Sequence, residues 1–97
     1  MSQTYTIERQ HQSDRGRYVI DLDEGFEAEL TYAMTSPDVM LIDHTGVPPQ
    51  FEGRGIAAQL VEAAIADARR QNFRIVPQCP YVAVQFKRHP EWADLRA

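Results

Sequence analysis

Four places in this sequence hold residues whose types and spacing suit chemistry. Gln50-Phe51-Glu52-Gly53-Arg54-Gly55 stands directly before the most helical stretch of the chain. Two glycines one residue apart let the backbone take positive φ and approach a ligand closely. The first turn of a helix has N–H groups without intrahelical partners, and the helix dipole adds roughly half a positive charge there. Such a turn is an anion site, and Arg54 can add a charge-assisted bond to a phosphate. Cys79 stands between an expected strand end and an expected helix start, where the dipole favours a thiolate able to take an acyl group or a proton. A small buried apolar residue is its other reading. His44 follows an apolar strand; its imidazole either takes a proton from a nucleophile or bonds the backbone at the strand end. Tyr81 opens the last helix, where its phenol either protonates a leaving group or packs on the sheet.

The glycine turn admits more than one reading. A Walker A loop is excluded, because no Lys-Ser or Lys-Thr follows Gly55. Gly53-x-Gly55-x-x-Ala58 matches the dinucleotide fingerprint, which also requires an acidic residue closing the next strand. Here that strand ends in Pro77-Gln78. A plain strand-to-helix turn with no ligand stays open at this point. Glu27 and Glu29 alternate on one strand face and read as solvated, His89 as complementing a helix end, and His11 as part of a polar turn.

These groups must be held by a scaffold. Tyr5 to Arg9 reads as a weak strand, and Ser13-Asp14-Arg15-Gly16 supplies turn chemistry. Tyr18 to Leu22 reads as a second strand, ended by Asp23-Glu24-Gly25. Phe26, Ala28, Leu30, Tyr32 and Met34 alternate with Glu27, Glu29, Thr31 and Ala33, a period of two with one face buried. Val39 to Ile42 is continuously apolar, as for a strand covered on both faces. From Ile56 to Arg70 the apolar positions follow helical spacing, and six alanines between Ala57 and Ala68 add helix propensity. Arg69 and Arg70 suit the helix end, and Asn72 is its expected stop. Phe73 to Val76 is a short strand, and Tyr81 to Arg88 a second helix with Pro80 in its first turn and Pro90 beyond it. Trp92 and Leu95 are expected to anchor the tail. The order β-β-β-β-α-β-α implies an α+β, mostly antiparallel mixed sheet, with one crossover helix joining a central strand to a parallel neighbour.

Bulk properties bound the class. The 97 residues have room for one domain spanning 1–97, and a chain this short buries only about 60–65% of its unfolded surface. A net charge of −4 argues against nucleic acid as main partner. No apolar run approaches the roughly 20 residues of a membrane helix. The opening Met1-Ser2-Gln3-Thr4-Tyr5 does not read as a signal peptide. The single Cys79 suits a reducing compartment, so the cytoplasm is the expected location.

Gln50, Gly53 and Gly55 also form the Q-x-x-G-x-G signature of the GNAT acetyltransferases. The chain from His44 to Leu95 resembles their short, stand-alone branch of N-acetyltransferases. The resemblance rests on His44-Thr45-Gly46-Val47, Gly53-Arg54-Gly55-Ile56-Ala57, Pro77-Gln78-Cys79-Pro80-Tyr81-Val82 and Arg88-His89-Pro90-Glu91. It implies a minimal GNAT fold that binds acetyl-CoA. Gln50, Phe51, Glu52, Gly53, Arg54, Gly55, Ile56 and Ala57 would hold the pyrophosphate of coenzyme A, mainly through backbone amides. The strand end from Thr45 to Val47 would pair with the pantetheine arm where two parallel strands splay, and Cys79 would face the acetyl group. The implied reaction is transfer from the CoA thioester to a small amine or an exposed lysine. A non-catalytic acyl-CoA sensor is the alternative. Full-length members carry two helices between their first two strands as a wall for the acceptor. Here only His11 to Arg17 lies there, so a second subunit in a homodimer, or an acceptor that needs no wall, would have to compensate.

Overall fold

A computed structural model describes residues 4–97. Met1, Ser2 and Gln3 of the opening stretch lie outside the described residues. The strands are β1 (Glu8–Gln12), β2 (Arg15–Asp21), β3 (Glu27–Ser36), β4 (Val39–Gly46) and β5 (Arg74–Pro77); the helices are α1 (Ile56–Gln71) and α2 (Pro80–Arg88). They form one sheet in the order β1-β2-β3-β4-β5. β1 to β4 pair antiparallel, and β4 pairs with β5 in parallel, joined by α1. This is the mixed sheet with one crossover that the element order implies.

Alternation in the strands decides which face is covered. Tyr18, Ile20, Ala28, Leu30, Tyr32, Met40, Ile42 and Ile75 all point to one side and are buried. The stripe of α1 (Ile56, Leu60, Val61, Ala64, Ile65 and Ala68) closes over that side in a single core. Asn72 ends α1 in the left-handed region at φ 60°, and its N–H bonds the carbonyl of Ala68. Beyond α2, a 3-10 turn from Pro90 to Leu95 buries Trp92 and Leu95. The Ala97 N–H then bonds the Ile75 carbonyl at 2.9 Å, so the tail lies along β5.

Several boundaries differ from expectation. The first strand starts at Glu8, not Tyr5; the Tyr5 N–H instead bonds the Gln59 side chain on α1 at 3.0 Å. The turn before β2 holds only Ser13 and Asp14, because Gln12 already pairs with Arg15. The strand at Val39 is not covered on both faces: Met40 and Ile42 are buried, while Val39 and Leu41 are half-buried on the open face. It runs four residues past Ile42 because β3 continues to pair with it. It is also the fourth of five strands, with β5 beside it.

Candidate active site

The connections that follow β2, β4 and β5 gather at one end of the sheet, and the one after β4 is the glycine turn. Pro49–Phe51 forms a 3-10 turn, with Phe51 buried against Phe26 from the β2–β3 connection, ring centroids 5.8 Å apart. Gly53 and Gly55 have φ of 80° and 76°, a region that other residues rarely enter. Neither position has a neighbouring heavy atom within 4 Å of where a Cβ would stand, so the turn faces open space. Gly55 caps α1 without a side-chain bond, and the first turn holds no acidic residue. The first intrahelical bond runs from Gln59 N–H to the Gly55 carbonyl at 3.2 Å. The N–H groups of Ile56, Ala57 and Ala58 precede it and have no intrahelical acceptor. Gln50, Glu52 and Arg54 are exposed around the turn. The Arg54 guanidinium rests 5.0 Å above the Phe51 ring, free to turn toward an anion. The turn thus offers backbone donors and an open approach to an anion, with Glu52 as a carboxylate on its rim.

Beside the turn, β4 and β5 part. Their ladder ends at Ile42 and Pro77. The Cys79 N–H makes one more bond to the Ile42 carbonyl at 2.9 Å, after which β4 runs on through Thr45 to Gly46 with no further strand pairing on its β5 side among the described residues. Val47 and Pro48 then lead the chain away, as a residue with no N–H would. Cys79 is the N-cap of α2, 5% exposed, with its sulfur 3.6 Å from Thr45 Oγ1. Burial alone would push its thiol up. The Val82 N–H, the Thr45 hydroxyl and the N–H groups of Tyr81 and Thr45 together outweigh burial and hold the thiol below its ordinary value. Tyr81 is half-buried in the first turn of α2. Burial pushes its phenol up, with Arg88 opposing and Glu62 assisting, so it stays a proton donor at neutral pH.

The structure does not bring His44 to this sulfur. β3 and β4 shift register between Tyr32–Ile42 and Thr31–His44, and Leu30 then pairs with Thr45. That is a bulge: two successive residues, Asp43 and His44, occupy the open face, and Thr45 turns to the covered one. His44 is exposed there beside Thr31. A slip of one residue reverses every later side chain, so the contact of Thr45 with Cys79 escaped sequence reasoning. Its signal was the polar pair Asp43-His44, which breaks the alternation of the strand.

A second polar group was also missed. Asp67 on α1 is 7% exposed and accepts from the Tyr18 hydroxyl at 2.7 Å and from Arg9 Nη1 at 3.2 Å, with Arg70 as a third partner. Arg9 Nε donates to Tyr32 Oη at 2.8 Å, and His11 Nδ1 lies 2.9 Å from the same oxygen. The network clamps β1 to the C-terminal half of α1, at the far end from the glycine turn. A recess of about 690 Å³ at the β1–β2 turn lies at that far end too. The glycine turn, Thr45, Cys79 and Tyr81 instead lie at the opposite end, where β4 and β5 part.

The sequence family described as GCN5-related N-acetyl-transferase matches residues 17–95. Protein NATD1 of Gallus gallus is 26% identical over 91 residues, spanning 93% of this chain and 83% of that protein. Protein NATD1 of Xenopus tropicalis is 28% identical, with 93% and 84% covered. The solution structure of a GCN5-like protein from Staphylococcus aureus superimposes with a TM-score of 0.71 at 26% identity, over 93% of this chain and 87% of that one. With a family match across most of its length and a solved relative of the same fold, the chain belongs to the GCN5-related N-acetyltransferases.

Proposed function

We propose that the chain transfers an acetyl group from acetyl-CoA to an amine, with the glycine turn as its diphosphate site and Cys79 as its proton-handling group. The observation that carries this reading is the conjunction of an open helix start at Gly53–Ile56, without a side-chain cap, and a buried thiol in contact with the Thr45 hydroxyl where β4 and β5 part. Acetyl-CoA supplies an activated thioester. The N–H groups of Ile56, Ala57 and Ala58 hold its diphosphate, with Arg54 as counter-charge and Gln50 to Gly55 as the rim. The edge from Thr45 to Val47, beyond the last β4–β5 ladder pair, binds the pantetheine arm as an added strand, and the Val47 N–H polarises the thioester carbonyl. The amine nitrogen bonds the acetyl carbon as the carbon–sulfur bond breaks. Cys79 takes the proton that nitrogen loses, and Tyr81 returns one to the departing thiolate. We assign the proton step to Cys79 ahead of His44, which stands on the open face. The free cysteine suits a reducing, cytoplasmic setting.

The acceptor side is bare. A two-residue turn joins β1 to β2 where the resemblance leads one to expect two helices. That favours a small amine or an exposed lysine, or a cleft completed by a second copy. It is also the observation behind a second reading, an acyl-CoA-binding module without turnover. Incubation with acetyl-CoA and a panel of amines separates the two. Thiol release and acetylated amine support transfer, whereas saturable binding with no product across the panel leaves the module.

A further inference from the structure

We propose that Thr45 is the positioning residue for Cys79, delivered to the sulfur by the bulge at Asp43–His44 and holding the thiolate through its hydroxyl. The inference rests on the reading of Cys79 as the proton-handling group. Two fixed points bracket the contact. On one side the Cys79 N–H is tied to the Ile42 carbonyl at 2.9 Å, which sets the backbone of the cysteine against β4 just before the bulge. On the other, the bulge is pinned from the open face: Thr31 Oγ1 donates to Asp43 Oδ1 at 2.8 Å, and Arg15 Nη2 stands 3.9 Å from Asp43 Oδ2. Between these anchors the chain crosses to the covered face and places Thr45 Oγ1 3.6 Å from the sulfur. Without the extra residue, position 44 would face the cysteine and position 45 would face solvent.

The contact responds to charge. Between a neutral thiol and a hydroxyl either group can donate. Once the sulfur is a thiolate, only the Thr45 O–H can, and a hydrogen bond to an ionised acceptor is the stronger kind. The β-branch of Thr45 restricts χ1 and so keeps the hydroxyl on target in a strand. The groups acting on the sulfur are Thr45 from β4 and the N–H groups of Tyr81 and Val82 from α2, with no charged side chain among them. Glu62 of α1 and Arg88 of α2 act on the Tyr81 phenol beside it.

The chain has one cysteine, so the ultraviolet absorbance of the thiolate titrates Cys79 alone once a Cys79→Ser blank removes tyrosine ionisation. Thr45→Val keeps the shape and deletes the hydroxyl; Thr45→Ser keeps the hydroxyl and deletes the methyl. The midpoint is expected to rise by about one pH unit in Thr45→Val, equivalent to about 1.4 kcal/mol, and to stay near the parent value in Thr45→Ser. Equal midpoints in parent and Thr45→Val overturn the proposal, as does a Thr45→Ser midpoint that rises with the valine variant. Far-ultraviolet dichroism identifies any variant that fails to fold, and Thr45→Ser then carries the test alone: a midpoint well above the parent's overturns the assignment. The readout needs no turnover. If CoA fails to bind the parent protein, the transferase reading falls while the titration still reports on Thr45; if CoA binds and the midpoints agree, only this inference falls.

Discussion

Cys79 is a thiol in a setting that usually makes thiols inert, nearly closed off from solvent. Thr45 and the first N–H groups of α2 act against burial and hold the thiol below its ordinary value. Its lowered pKa has a direct kinetic consequence. Turnover governed by the thiolate rises with pH through a midpoint below the ordinary thiol value and then levels off. The same group stabilises the fold above that ordinary value, and the contribution is lost as pH falls through the folded pKa. Cys79→Ser is expected to reduce turnover by about 10²–10⁴, measured as thiol release, with CoA binding retained. His44→Ala is expected to leave turnover within a few-fold of the parent. A large loss in the histidine variant with little change in the serine variant would reverse the assignment. The place of Cys79 at a helix start was legible from Pro77-Gln78 before it and Pro80 after it. Its partner was not, because Thr45 reaches it only through a one-residue register shift set by pairing with β3.

At the scale of elements, the helices were readable in detail and the first hairpin was not. α1 announces itself by an apolar stripe, alanines and Asn72, all local signals. β1 (Glu-Arg-Gln-His-Gln) has no apolar alternation of its own and owes its position to contacts far along the chain. Arg9 lies across the rings of Tyr18 and Tyr32, its guanidinium carbon 5.5 and 5.2 Å from their centroids, and ties both tyrosines to Asp67. Asp67→Ala strips Arg9 and Tyr18 of their acceptor and is expected to cost about 2–4 kcal/mol in chemical denaturation, with CoA affinity little changed because the network lies at the other end of α1. Gly16 faces Tyr32 so closely that an added Cβ would sit 2.3 Å from its hydroxyl and 2.7 Å from the Gln10 carbonyl. Gly16→Ala therefore forces the hairpin off the ring and is expected to lower stability by about 1–3 kcal/mol. Gly53→Ala makes the opposite comparison. Its Cβ meets nothing, so its cost is the left-handed backbone alone, about 1–2 kcal/mol, accompanied by weaker CoA binding.

The molecule as a whole is a one-sided sandwich: a five-stranded sheet with α1 and its core on one face and charged pairs such as Arg17 with Glu27 and Glu29 on the other. The order of elements was visible in the sequence, since each helix and each alternating strand carries its own periodicity. Which residues share a face past Ile42 was not, since that depends on how strands pair. With the glycine turn, the parted strands and the thiol at one end, the fold gathers there the groups to which the proposed acetyl transfer is assigned, while the two-residue β1–β2 turn leaves the acceptor side without a wall. The most direct test is the thermal midpoint of the protein as CoA is titrated in. At a CoA concentration 100 times the Kd, stability is expected to rise by about 2.7 kcal/mol, which for a domain of this size moves the midpoint by roughly 10–20 °C, and Gly53→Ala should shift the whole titration to higher CoA. A midpoint that does not move at roughly millimolar CoA would contradict a diphosphate cradle at Gly53–Ile56 and, with it, the acetyl-transfer account.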